Sequence, residues 1–205
     1  MLRAFDVAVS LAALIFLSPV FAVIAVAVKL TSRGPVFYRG TRIGRFGAEF
    51  SILKFRTMRS GDAGPSITRA ADPRVTPVGR FLRRWKFDEL PQFVNVLCGE
   101  MSLVGPRPEA PEYVLLYSAE ERSVLRVRPG ITSPASLRYR DEEGLLTGEA
   151  WRDEYVNRIM RDKLRIDLDW LDRRTFASDL RLLARTVASL FSSRRDTDTA
   201  AAARH

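Results

Sequence analysis

Between Val7 and Val28 the chain reads VAVSLAALIFLSPVFAVIAVAV, a run without a charged residue. At about 1.5 Å of helical rise per residue, such a run can cross the roughly 30 Å hydrocarbon core of a bilayer. No other feature limits the fold as strongly, because in lipid every backbone polar group must be satisfied internally. Three arrangements compete. The run could belong to a secretory signal, and Ala25-Val26-Ala27 has the small-residue pattern of a cleavage site, but it is long for that purpose. It could be a simple spanning helix. It could also be a re-entrant hairpin that dips into one leaflet and returns. Ser18-Pro19 favours the hairpin: proline removes a backbone donor and clashes with the preceding turn, and the serine hydroxyl can satisfy a freed carbonyl. Arg3 before the run and Lys29 and Arg33 after it suit two ends on the cytoplasmic side. A kinked spanning helix would carry the same marks.

The 205 residues suffice for one domain with an appendage and a real core. Lys and Arg number 33 against 24 Asp and Glu, and the net charge of +9 points to an anionic partner: nucleic acid, anionic lipid or a phosphorylated substrate. Cys98 is the one cysteine, so an internal disulfide is excluded. His205, the last residue, is the one histidine, which argues against a histidine general base or a His-rich zinc site.

Residues 34–58 alternate in polarity with Gly at the turns, predicting strands near Val36–Tyr38 and Glu49–Phe55. Residues 59–77 read as a loop. Thr76-Pro77 opens a helix as N-cap and first helical residue, with Val78, Phe81, Leu82 and Trp85 on one face. A further helix is expected from about Asp88–Leu90 to Gly99, then a strand-like start at 101 running into a proline-rigid loop to 113. Residues 126–140 read as another loop, and 151–173 as helix. Thr175 is placed to cap a last helix striped by Phe176, Leu180, Leu183, Val187 and Leu190, facing either the core or anionic lipid. The polar, Ala-rich tail at 192–205 is expected to be disordered.

Asp88 and Glu89 stand side by side in RRWKFDELPQFVNVL. The simplest use for them is at a helix start, Asp88 as cap and Glu89 complementing the macrodipole. Their surroundings suggest more. Lys54 and Arg56 in KFRTM, Arg107 in GPRPE, Arg128 in RPGIT, and Arg138 and Arg140 in RYR all recur in loop or strand-end settings, several beside Gly or Pro. Guanidinium groups on rigid loops suit phosphate oxygens. Carboxylates among them fit two tasks, holding Mg2+ against a diphosphate or attacking phosphorus as a nucleophile.

Taken together, SP in an N-terminal apolar run, KFRTM, DELPQFVNVL, MSLVGPRPE and RPGIT resemble the bacterial sugar transferase family, the monotopic polyprenyl-phosphate phosphoglycosyl transferases. The likeness runs from about residue 2 to residue 190 and is to the small members built of the catalytic unit alone. It implies transfer of a sugar-1-phosphate from a UDP-sugar to polyprenyl (undecaprenyl) phosphate, with Mg2+, releasing UMP. It also implies Asp88 as nucleophile through a covalent phosphosugar intermediate, Glu89 in metal positioning or the acceptor step, and Lys54 and Arg107 on the substrate. Ser18-Pro19 matches the break of a re-entrant helix. Arg138 and Arg140 align loosely, because SPASLRYR replaces the Gly-aromatic continuation of many members.

The expected architecture is helix-rich α/β: a membrane hairpin over 1–30 and a catalytic domain over 31–191 with a small β element and interfacial amphipathic helices. It would rest on membrane lipid at the cytoplasmic face of a bacterial inner membrane, feeding glycoconjugate or exopolysaccharide assembly; a homodimer is left open. Two rival readings stand beside it. Asp167-Leu168-Asp169 offers the D-x-D pattern of a metal-dependent glycosyltransferase that releases UDP, although within a helical segment it reads as surface charge. A non-catalytic basic membrane-surface protein is the other. No nucleic-acid-binding module is recognised, so a nucleic-acid partner is not expected.

Overall fold

The computed structural model describes residues 3–59, 67–68, 72–148 and 150–191. The loop expected over 59–77 lies largely outside them, and the tail at 192–205 entirely so.

The apolar run forms α1 (Arg3–Phe16) and α2 (Ser18–Thr31), bent by 61° at the Ser18-Pro19 break. Pro19 sits in the first turn of α2, where a missing N–H costs nothing, and the Ser18 hydroxyl donates to the Ile15 carbonyl at 2.8 Å. Among the described residues no single helix is long and apolar enough to cross a membrane; only the bent pair together passes that test. Phe16 and Leu30 are more than four-fifths exposed.

The pair is also held at its mouth. Arg3 donates to the carbonyls of Val96 (2.5 Å) and Leu97 (2.9 Å). These carbonyls belong to the last turn of α4 (Gln92–Cys98), a helix end that favours positive charge. Asp6, buried on α1, accepts from the Ser102 hydroxyl at 2.8 Å and from the Leu103 amide at 3.4 Å. At the other end Ile24 and Val28 of α2 pack on Phe55 and Leu82.

β1 (Phe37–Ile43) and β2 (Glu49–Phe55) form an antiparallel hairpin in which Tyr38 faces Lys54 and Phe37 faces Phe55. The second strand has the expected bounds; the first runs further, because it pairs along the whole of β2. α3 (Pro77–Arg84) begins as predicted, with the Gly79 amide donating to the Thr76 hydroxyl at 2.9 Å. Lys86 then adopts a left-handed conformation (φ 57°), which costs a non-glycine residue about 1 kcal/mol, and turns the chain into a 3-10 turn at Phe87–Glu89 before α4. Gly99, also left-handed (φ 85°), ends α4.

β3 (Ser102–Val104) and β4 (Gly130–Thr132) form a parallel pair. Just beyond β3 the backbones press together: a Cβ at Gly130 would lie 2.1 Å from the Gly105 nitrogen, and one at Gly105 would lie 2.5 Å from the Arg128 carbonyl oxygen. Residues 126–140 are thus not a loop throughout: they hold β4 and then α6 (Pro134–Arg138). Two short helices, α5 (Pro111–Val114) and α7 (Glu142–Leu145), precede α8 (Trp151–Glu154), a π turn (Tyr155–Ile159) and α9 (Met160–Asp172). The main core gathers Tyr113, Val124, Leu146, Tyr155, Ile159, Met160 and Leu164 around this run.

In α10 (Phe176–Phe191) the Ser178 amide donates to the Thr175 hydroxyl at 3.1 Å, confirming the cap. Leu182 and Asp179 are buried, whereas Phe176, Leu180 and Val187 are exposed. The core-facing reading of the stripe therefore fails for those three residues. The helix turns a different face inward, with buried Asp179 paired to Arg174 at 3.0 Å.

Candidate active site

A cleft of about 1060 Å³ opens between the hairpin, α3, the turn at Phe87–Glu89, the loop after β3, and the segment from α6 to α9. Lys54, Asp88, Glu89, Arg107 and Arg140 all line it, although up to 86 positions separate them in the chain.

Asp88 does not cap α4; Pro91 holds the N-cap position and no side chain caps the helix. Its carboxylate is buried, and Oδ1 accepts no hydrogen bond. Burial first, and then repulsion from Glu89, push its pKa up; Lys54, Arg83 and Lys86 pull the other way. Glu89 is the opposite case. Arg107 clasps both of its oxygens, Nη1 to Oε2 at 3.0 Å and Nη2 to Oε1, and Lys54 Nζ donates to Oε1 at 3.0 Å. Although burial opposes ionisation, these two cations hold Glu89 well below the usual carboxylate range. Burial lowers the Lys54 pKa, with Glu89 partly restoring it. Adjacent acids thus have distinct states: one anchored to cations, one buried with a bare oxygen.

A second charged network closes the far wall. Lys163 Nζ donates to Glu142 (2.9 Å) and Glu109 (3.3 Å), and the Tyr155 hydroxyl donates to Glu109 at 2.6 Å. Arg83 pairs with Glu143 and donates to the Thr57 hydroxyl at 3.2 Å. No motif in the sequence marks Glu109, Tyr155 or Lys163. Glu109 lies two residues beyond Arg107, and a Glu that close to a rigid cation was the one usable signal.

Three of the arginines expected on phosphate have partners other than the adjacent acids. Arg56 is buried at the cleft edge, but its guanidinium donates to the carbonyls of Val28 (3.5 Å), Ser32 (2.8 Å) and Arg33 (2.6 Å) at the end of α2. Arg128 donates to the Gly99 carbonyl at 2.8 Å and lines a separate small cavity with Arg3 and Asp6. Arg138 is 66% exposed in its side chain and lies 3.7 Å from Asp162.

Asp167 is not surface charge. It is buried and accepts from the Ala135 amide at 3.1 Å in the first turn of α6; burial raises its pKa from 3.8 to about 6. A carboxylate so placed supports a helix start, and it does not line the cleft.

Among the described residues no three acidic, cysteine or histidine side chains converge as a ready metal cage. Mg2+ needs none: it keeps waters and is shared between one or two carboxylates and substrate phosphates. The unpartnered Oδ1 of Asp88 fits that requirement. Glu89, with both oxygens committed to cations, fits it less well.

A helix-rich α/β fold with adjacent acids among cations on a large cleft defines a phosphate-handling enzyme. The model for the bacterial sugar transferase family matches residues 1–193, and the chain belongs to that family. It is 41% identical over 196 residues to the UDP-glucose:undecaprenyl-phosphate glucose-1-phosphate transferase of Caulobacter vibrioides, covering 93% of this chain and 70% of that one. The Escherichia coli protein of that same description is 40% identical over 191 residues, covering 90% and 39%. The exopolysaccharide production protein ExoY of Sinorhizobium fredii is 40% identical over 171 residues, covering 75% and 76%. The chain therefore spans most of two of these relatives and less than half of the third.

Proposed function

We propose that the protein transfers a sugar-1-phosphate from a UDP-sugar to polyprenyl phosphate, giving polyprenyl-diphosphate-sugar and UMP. One observation carries this reading: Asp88 presents a buried, unpartnered oxygen beside Lys54, Arg83 and Lys86 on the wall of a cleft large enough for a nucleotide sugar. The names of the relatives above supply the two substrates, and two of them put UDP-glucose first among donors to test.

In this mechanism Asp88 attacks the donor's β-phosphorus. The bond from that phosphorus to the bridging oxygen breaks, and UMP leaves with the electron pair. An oxygen of the acceptor phosphate then attacks the same phosphorus and expels the Asp88 carboxylate. Burial raises the nucleophile's basicity, and the neighbouring cations offset the charge accumulating on the phosphoryl oxygens. Glu89 acts through its partners: it holds Lys54 and Arg107 in fixed positions facing the phosphates. Mg2+, held by Asp88 with the donor's diphosphate, would neutralise charge on both phosphates.

The bent α1–α2 pair is the re-entrant element in this reading. Arg3 and Asp6 fasten its entry and Arg56 its exit to the catalytic unit. The exposed face of α10 lies on the inner leaflet. The test is nucleotide release from protein in lipid nanodiscs given Mg2+ and a panel of UDP-sugars. Sustained UMP release that needs polyprenyl phosphate and disappears in Asp88→Asn is expected. Release of UDP would make the enzyme a glycosyltransferase instead.

A further inference from the structure

We propose that Tyr38 is the platform on which the uracil ring of the uridine nucleotide stacks. The inference rests on the donor being a UDP-sugar, as proposed above.

Successive side chains of a strand point to opposite faces. Phe37 takes the face toward α2: its ring stacks on Phe55 (centroids 5.2 Å apart, 28° between planes), and Phe55 in turn meets Phe21 of α2 at 5.2 Å. Tyr38 takes the other face and lines the cleft. Directly across the hairpin from it is Lys54, whose Nζ lies 3.0 Å from Glu89. The Tyr38 ring therefore stands one strand away from a cation bonded to one of the two adjacent acids.

The ring is set by its own strand. A Cβ at position 40 would lie 2.6 Å from Tyr38 Oη and 2.8 Å from Cε1, so the ring rests against backbone that only glycine leaves bare. Even so, Tyr38 remains 45% exposed, leaving aromatic surface to the cleft. An aromatic face stacks on a pyrimidine without needing base-specific hydrogen bonds. In a UDP-sugar the base is separated from the reacting phosphorus by one phosphate and a ribose. The Lys54 side chain and one cross-strand step provide a comparable reach. The polyprenyl chain arrives from the membrane side, the side of α2 and Phe37, so the ring on the opposite face is assigned to the base.

The test measures UMP binding by calorimetry on the full chain in nanodiscs, together with KM for donor and acceptor. Tyr38→Ala is expected to weaken UMP binding about tenfold or more and to raise the donor KM in parallel. The KM for undecaprenyl phosphate should stay unchanged, and Tyr38→Phe should match the wild type. Tyr38→Leu keeps bulk over Gly40 without the aromatic face; weakened UMP binding at an unchanged melting temperature separates stacking from packing. Wild-type UMP affinity in Tyr38→Ala, or a rise confined to the acceptor KM, would overturn the assignment. If the wild type binds neither UMP nor a UDP-sugar, the donor class itself is wrong and the platform falls with it.

Discussion

Arg107 and Glu89 meet end to end, both terminal nitrogens of the guanidinium donating to the two carboxylate oxygens. Lys54 adds a third donor to one of those oxygens. Glu89 is thereby fixed as an anion, and after burial, the larger cause, its negative charge further raises the pKa of the neighbouring Asp88. Two adjacent carboxylates acquire different tasks because cations reach only one of them closely.

Lys54 and Arg107 should act as one unit through Glu89. Lys54→Met and Arg107→Met are each expected to lower kcat for UMP release by about 10²-fold, the usual loss for one electrostatic donor. Their losses should not multiply in the double variant, because Glu89 is already displaced in either single one. A double-mutant cycle on kcat checks this; fully multiplicative losses would mean that each cation acts on substrate independently.

The raised Asp88 pKa has a rate consequence and a stability consequence. Attack needs the ionised carboxylate, so kcat/KM should rise with pH through a pKa above the ordinary 3.8. Arg83 is among the charges pulling that pKa down, so Arg83→Gln should move the acid limb to higher pH. For stability, folded Asp88 keeps its proton to a higher pH than unfolded Asp88. Between those two pKa values the folded state binds more protons, so this group's contribution falls as pH rises and stays lower above the window. Asp88→Asn should therefore raise the melting temperature at pH 7 and give no such gain below pH 3.8. Thermal melts of both proteins across that range are the measurement.

Arg56 is expected to matter for folding rather than for substrate. Its bonds to Val28, Ser32 and Arg33 carbonyls close the end of α2. Arg56→Lys keeps the charge but cannot span three carbonyls, and a loss of about 2 kcal/mol of stability follows. The donor KM should not change. A large rise in that KM without loss of stability would return Arg56 to the phosphate site.

The α1–α2 pair is held at its bend by Ser18-Pro19 and at its mouth by Arg3 and Asp6. Pro19→Ala should let some molecules form one continuous spanning helix, and adding Asp6→Ala should increase that share. Labelling an N-terminal cysteine tag with a membrane-impermeant reagent on intact cells reads the outcome. A terminus protected in both variants would mean that neither contact decides the topology.

Features set by near neighbours were readable in the sequence. Thr76-Pro77 and Thr175 cap the helices they were expected to cap, and β2 falls where alternation put it. Asp88 and Glu89 stand out because two adjacent acids come just after Arg83, Arg84 and Lys86. Long-range features were not readable. The strand-like start at 101 is β3, but its three-residue partner β4, 28 positions on, is too short to show alternation, so the pairing itself was hidden. Arg56 and Arg107 look alike in sequence; only the fold aims one at α2 carbonyls and the other at Glu89. Asp167 looked like solvated charge because its partner, the Ala135 amide, lies 32 positions away.

The central claim is that Asp88 becomes covalently bonded to phosphorus. The most direct measurement is intact-protein and peptide mass spectrometry after mixing enzyme, Mg2+ and UDP-sugar without acceptor. A sugar-phosphate added to the peptide carrying Asp88 is expected, discharged when polyprenyl phosphate is supplied and absent in Asp88→Asn. An unmodified Asp88 under conditions in which the enzyme turns over would contradict the covalent route and leave direct transfer between the two substrates.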